Sequence, residues 1–397
     1  MKNFCIFLII AVLSALASCT GGGTASFSEE NIGLKYAKLI EIRQGDGYVV
    51  ADVWNPWKEN GSEKRRDEKV LLHRYVLVPS DDEVPENIPQ GELIRTPLKK
   101  SVVYTSVHTS LFDELGNYDA IKGVCDKEYM YLDKIRKDVA EGKITDCGLG
   151  TNPDIERIIE LNPDAILLSP FENAGTYGKL GKLGIPIIEC ADYMENSALG
   201  RAEWVRFYGM LIGKEKEADS LFNAVEADYN ATKALVKNAK NRPTAITEKK
   251  YGSTWYVAGA LSTVGGLLSD AGADYVFYDE KVSGSVPMAP EVVFDRAQQA
   301  DIWMFKYNQA VDITSDQLAA EWGNYSKMKA FKQGNVYQCN LSLVPYYEET
   351  PFHPNILLKD YVKIFHPEVL KDYQLRYYKR LPPPPLLKRG EILPDNQ

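Results

Sequence analysis

Between residues 34 and 100, apolar and polar positions alternate, as in Tyr48–Val53 and Leu71–Val78. Such alternation, rich in β-branched and aromatic residues, predicts strands. Gln44-Gly45-Asp46-Gly47 separates two of these runs, and an Asp-Gly pair in that setting predicts a hairpin turn. An N-terminal antiparallel β-meander is therefore expected over 34–100. From Ser101 the pattern changes to short apolar runs separated by helical periodicity: Val102–Tyr104, Ile121–Val124, Ala165–Leu168 and Ile185–Ile188. That alternation implies parallel strands with crossover helices. A longer helix is predicted from about Lys214 to Ala239, where Ala218, Leu221, Phe222, Val225, Tyr229 and Thr232 share one side. Gly213 precedes it and Pro243 closes the segment. Strand signals then resume at Thr244–Thr247, Trp255–Val257, Tyr275–Tyr278 and Ile302–Phe305.

The halves flanking this helix share a local signature. Pro153-Asp154-Ile155 leads to Asp164 and the run Ala165–Leu168, and Pro290-Glu291-Val292 leads over the same spacing to Asp301 and Ile302–Phe305. Proline followed by an acid suits the first turn of a helix, where the missing donor costs nothing and the dipole favours negative charge. Two such units predict two similarly built lobes.

The N-terminus carries a different signal. Lys2 precedes an apolar run from Phe4 to Leu13, too short to span a bilayer, and Leu16-Ala17-Ser18-Cys19 follows. This resembles the bacterial lipobox, which implies cleavage before Cys19 and lipid attachment to it, with Gly21-Gly22-Gly23 opening a flexible tether. The organisation expected is a signal peptide (1–18), lipidated cysteine and tether (19–33), meander (34–100), N-lobe (101–198), inter-lobe helical segment (199–240), C-lobe (241–380) and Pro-rich tail (381–397).

Composition narrows the function. The formal net charge of −9 becomes one unit more negative when Lys2 leaves with the leader, which argues against nucleic acid as a partner. Of six cysteines, Cys125, Cys147, Cys190 and Cys339 remain in the folded part, and none has zinc-site spacing. Cys125 and Cys147 end neighbouring predicted strands, so either a disulfide or two buried thiols is expected there. No nucleophile elbow, Walker loop or His-Glu-x-x-His motif occurs, and Gly148-Leu149-Gly150 alone carries little weight. A hydrolase built on the plentiful carboxylates and an adhesive surface lipoprotein are the competing classes.

Pro153–Ile158, Pro163–Leu168 and Leu183–Ile187, followed by Gly265–Asp274, resemble the lobe cores of the substrate-binding proteins that serve ABC importers of iron-siderophores, haem and cobalamin. The resemblance covers roughly residues 100–370, and His353–Asp360 with Phe365–Glu368 is similar to the Bacteroidetes branch of iron-complex lipoproteins. It implies an α/β fold of two Rossmann-like lobes joined by one long rigid helix, with ligand in the cleft between them. It also implies a monomer that hands its cargo to a permease dimer in the periplasm, uses no cofactor and catalyses nothing. The cargo implied is an iron-siderophore, with cobalamin or haem as the alternative.

The chain contains 24 Tyr, 13 Phe and 6 Trp, enough for an aromatic-walled cleft. Because α/β folds bind ligands at strand carboxyl ends, Tyr129, Tyr131, Phe171, Trp255, Tyr256, Tyr307, Tyr346 and Tyr347 are the candidate wall residues. His108 follows the first parallel strand and Lys306 lies near the end of another; a lysine there suits an anionic chelate. Of the four histidines only His108 and His353 are placed to reach the cleft, too few for the roughly three-histidine site that the resemblance associates with bare-metal binders. In the cobalamin-binding relatives one acid on each lobe tip meets the permease. Asp274 matches the C-lobe acid by motif, whereas Glu172 lies in the matching N-lobe loop a few residues before the corresponding position, Gly175.

Overall fold

The computed structural model describes residues 29–57, 69–171 and 177–382. The leader, Cys19, the tether, Glu172, Gly175 and the Pro-rich tail beyond Pro382 lie outside the described residues.

Five strands open the chain: β1 (Glu30–Asn31), β2 (Ile40–Gly45), β3 (Tyr48–Trp54), β4 (Leu71–Pro79) and β5 (Glu92–Thr96), side by side in that order. The β2–β3 hairpin turns at Asp46-Gly47, with Gly47 at φ +77°, a conformation glycine adopts without steric cost. The expected meander is antiparallel only through β4; β5 pairs parallel to β4. Residues 80–91 are long enough to carry the chain back along the sheet before β5 begins. Ile88 in that return packs with Tyr48, Val50, Val76 and Val78 on the outer face, while Ala51, Val53, Tyr75 and Leu77 enter the main core. Both faces of β3 and β4 are thus buried.

The N-lobe sheet contains β6 (Ser101–Val103), β7 (Ile121–Val124), β8 (Thr145–Asp146), β9 (Ala165–Leu168) and β10 (Ile187–Glu189), ordered β10-β9-β6-β7-β8 and wholly parallel. Helices α1 (Ser106–Glu114), α2 (Asp133–Ala140) and α3 (Ile155–Leu161) connect its strands. Tyr75 joins the N-terminal sheet to this edge: its hydroxyl donates to the Ile187 carbonyl at 3.0 Å and accepts from the Glu189 amide at 2.8 Å.

Helices α4 (Ala198–Glu203), α5 (Val205–Ile212) and α6 (Glu215–Val236) follow. The 22 residues of α6 make a rod of about 33 Å. In the C-lobe, β11 (Thr244–Thr247), β12 (Asp274–Tyr275), β13 (Ile302–Tyr307), β14 (Val336–Asn340) and β15 (Lys379–Arg380) are ordered β12-β11-β13-β14-β15, with only β15 antiparallel. Lys250–Tyr251, Thr254–Ala258 and Ser285–Met288 form a separate antiparallel sheet, so the Trp255 run is not part of the parallel one. Helices α7 (Thr263–Asp270), α8 (Pro290–Ala297), α9 (Tyr346–Glu349) and α10 (Pro354–Phe365) complete the parts used below. Among the described residues no helix is long and apolar enough to cross a membrane.

The repeated signature has a shared structural job. Asp164 accepts the amides of Lys99 and Lys100 at 2.7 and 2.8 Å, and Asp301 accepts that of Thr244 at 2.9 Å, so each acid fastens the start of its lobe's first strand. The prolines differ. Pro290 opens α8, whereas Pro153 lies one residue before the N-cap of α3, because the Asp154 side chain takes the Arg157 amide at 3.1 Å and becomes the cap itself.

Candidate functional site

The strand orders create a topological switch point in each lobe. In the N-lobe, β6 and β9 are neighbours whose following connections diverge; in the C-lobe, β11 and β13 are such a pair. A crevice opens outside the carboxyl ends at such points. Tyr104, Thr105 and Ser106 leave β6, and Phe171 follows β9. Across the cleft, Glu248 leaves β11 and Lys306 lies at the end of β13.

The lobes meet beside these ends. Ser106 on α1 donates to Glu348 on α9 at 2.7 Å, His353 donates to Glu114 at 2.8 Å, and Thr263 donates to the Glu195 carbonyl at 3.0 Å. Tyr131 stands at the same seam and is half-exposed; burial, then the Glu349 and Glu348 carboxylates, raise its pKa. Tyr347, on the C-lobe, is also exposed. Asp126 follows β7 and approaches Gly150 so closely that a Cβ there would lie 2.7 Å from its carboxylate and 3.4 Å from the Tyr104 ring. Ser106, Asp126, Glu248 and Glu348 stand at these strand ends and seam contacts and are passed over by an aromatic criterion; Tyr104, which that criterion admits, is not among the candidates. Strand order would have pointed to Tyr104 and Glu248, had it been readable.

Lys306 does not offer a free cation. Its ammonium pairs with the Glu248 carboxylate and sits 5.5 Å from the centre of the Tyr346 ring. Burial works against the ammonium, but Glu248 outweighs it and the lysine pKa is raised.

Other candidates fall inside the lobes. His108 is buried: Nδ1 lies 2.6 Å from Thr105 Oγ1, and Nε2 lies 3.1 Å from both Asp192 and the Tyr208 hydroxyl. Its position three residues past the cap residue folds the ring back into the N-lobe. Trp255 is wholly buried and donates to the Thr247 carbonyl at 3.2 Å, because alternation on its strand turns Trp255 inward and Tyr256 outward. Tyr307 is buried, donating to Gln338 at 2.6 Å, and Tyr346 is buried under Tyr347. Tyr129, Phe171 and Tyr256 are exposed, Phe171 edge-on to Tyr177 at 6.3 Å. Cys125 and Cys147 are free, buried thiols, with Cys125 Sγ 3.6 Å from the Cys147 carbonyl; burial pushes both up to about 12. Two depressions of about 440 and 490 Å³ flank α6. Neither has an aromatic wall, and both lie away from the switch points.

A family model described as periplasmic binding protein matches residues 102–342, and the chain belongs to that family. The N-terminal sheet lies before the matched span. An uncharacterized lipoprotein of Methanocaldococcus jannaschii is 31% identical over 374 residues, covering 88% of this chain and 86% of its own. The petrobactin-binding protein of Bacillus subtilis is 28% identical over 187 residues, 46% of this chain and 52% of that protein. Among solved structures, a TroA-like periplasmic binding protein from Veillonella parvula superposes with a TM-score of 0.55 at 19% identity, covering 73% of this chain and 96% of that one. By family, the chain is a periplasmic solute-binding protein. Such proteins bind a transported ligand rather than a cofactor, work with an importer's permease and ATPase, and are not enzymes.

Proposed function

We propose that this chain captures an iron(III) chelate of the siderophore class in the inter-lobe cleft and delivers it to an ABC importer, tethered to the membrane by lipid on Cys19. The observation that carries this reading is the facing of two switch points across one cleft, with Tyr131 and Tyr347 available on opposite lobes. Aromatic walls of this kind suit a bulky chelate, and tyrosine hydroxyls add orientation. The petrobactin-binding relative supports the same cargo. The histidines nearest the cleft are already engaged, His108 within the N-lobe and His353 with Glu114, which disfavours axial ligation of haem and capture of a bare ion.

The test is direct titration of the purified protein with ferric siderophores, cyanocobalamin and hemin, followed by calorimetry and tyrosine or tryptophan quenching. A ferric siderophore should bind with Kd below about 1 µM. Tighter binding of cyanocobalamin or hemin than of every ferric chelate would overturn the reading.

A further inference from the structure

Of five cations near the strand ends, four are paired with the protein's own acids. Lys127 pairs with Asp146 at 2.9 Å, Lys249 with Glu321 at 2.6 Å, Arg376 with Glu349 at 3.1 Å, and Lys306 with Glu248. Lys250 sits on the Gly252 carbonyl at 3.1 Å. Among the described residues, no lysine or arginine lies within ion-pair distance of Asp126 or Glu348. The cleft therefore presents no surplus of positive charge to a ligand.

Glu248 is the residue held most deliberately. Its backbone lies at φ +64°, a left-handed conformation that is costly for a side chain with a Cβ and that glycine or asparagine would adopt more cheaply. Three contacts from β13 impose it. The Glu248 amide donates to the Met304 carbonyl at 2.7 Å, its carbonyl accepts from Trp303 Nε1 at 2.7 Å, and its carboxylate accepts from the Lys306 amide at 3.4 Å as well as the Lys306 ammonium. The left-handed backbone alone would be met more cheaply by glycine or asparagine, so the contacts of the Glu248 carboxylate are the feature of interest at this position.

We propose that Glu248 sets the charge of the accepted ligand: by neutralising Lys306, it makes the cleft select an iron(III) chelate without net negative charge. The inference rests on the iron-chelate reading given above. Three monoanionic hydroxamates around Fe3+ leave a neutral chelate, or a cationic one when the ligand carries an ammonium. Three dianionic catecholates leave a trianion, which the unpaired Asp126 and Glu348 oppose and no free cation welcomes.

The experiment measures dissociation constants for cationic ferrioxamine B, neutral ferrichrome and trianionic ferric enterobactin on the wild-type protein, Glu248→Gln, and the double variant Glu248→Gln with Lys306→Met. Wild-type protein should bind the better tris-hydroxamate at least about tenfold more tightly than the tris-catecholate. Glu248→Gln unmasks the ammonium and should narrow that ratio by about tenfold, and adding Lys306→Met should restore it. Ratios taken on one variant cancel any loss of folded fraction, so a purely structural role for Glu248 would leave them unchanged. Equal or tighter binding of the tris-catecholate by wild-type protein, or a ratio unmoved by Glu248→Gln, overturns the inference while leaving the iron-chelate reading intact. If no ferric chelate binds and cyanocobalamin or hemin does, the reading fails and the inference falls with it.

Discussion

Burying a histidine against a carboxylate turns a titratable group into a fixed charge. Burial lowers the pKa of His108 from its ordinary 6.5, but the Cys190 sulfur and Asp192 outweigh it and hold it up to about 10. For Asp192, burial opposes ionisation, yet His108, Arg201 and Tyr208 bring it down to about 2. The two shifts describe one ion pair, counted once. Because the folded-state pKa of His108 is raised, its contribution is complete below 6.5 and is lost as pH climbs through about 10. Because that of Asp192 is depressed, its contribution is complete above 3.8 and is lost as pH falls toward about 2. Asp192→Asn should cost about 3 kcal/mol, since it strands a buried imidazolium, and should flatten the alkaline limb of stability. Urea melts between pH 6 and pH 10 check this; a variant that loses stability with the wild-type slope contradicts it. At this scale the sequence was legible only in part. Residues at strand ends were identifiable from apolar runs, but which way each side chain turns depends on strand register and helix face, so Tyr256 and Trp255, adjacent in sequence, end on opposite sides of one sheet.

Two buried carboxylates, Glu195 just before α4 and Glu203 at its end, hold the N-terminal sheet in place. Glu203 accepts the amides of Lys35, Tyr36 and Ala37 at 2.8, 2.6 and 2.8 Å, and Glu195 accepts those of Lys38 and Leu39 at 2.9 and 2.8 Å. Five consecutive backbone donors that lack strand partners at the entry to β2 are thereby satisfied. Glu203→Ala would leave three of them without this acceptor, the Ala37 amide in buried surroundings, a loss of about 2 kcal/mol. Glu203→Gln keeps an acceptor oxygen and should lose less. Equilibrium unfolding orders the two variants, and hydrogen exchange should show β2 and β3 opening first in Glu203→Ala; exchange confined to the C-lobe would refute the assignment. The elements themselves were readable where periodicity and turn chemistry agree, as in the hairpin at Asp46-Gly47 and in α6. The parallel pairing of β5 and the anchoring by Glu203, some 168 residues from Lys35, were not, because both depend on contacts that local pattern does not encode.

Across the whole molecule, α6 and the contacts at the seam keep the lobes at a set separation, so features on the two lobes have a defined spacing. Asp274 is exposed at the amino end of β12, the opposite end of the C-lobe sheet from the strand ends facing the cleft. The sequence resemblance implies a docking acid at this position, and we propose Asp274 in that role with Glu172, outside the described residues, as its N-lobe counterpart. Two acids carried on separate rigid lobes suit recognition by basic groups on a two-subunit permease, because complementary charge speeds encounter and the fixed spacing sets orientation. Reversing both with Glu172→Lys and Asp274→Lys should abolish stimulation of transport in vesicles containing the importer. Affinity for the captured chelate should stay within about twofold in the Asp274→Lys single variant, an exposed substitution at the far end of the C-lobe sheet. Stimulation by the wild-type protein should also weaken as salt is raised, since the pairing is between surface charges. Transport that persists in the double variant would remove both acids from the docking surface. A parallel loss of chelate affinity would instead place one of them at the cleft, and separate Glu172→Lys and Asp274→Lys variants would show which.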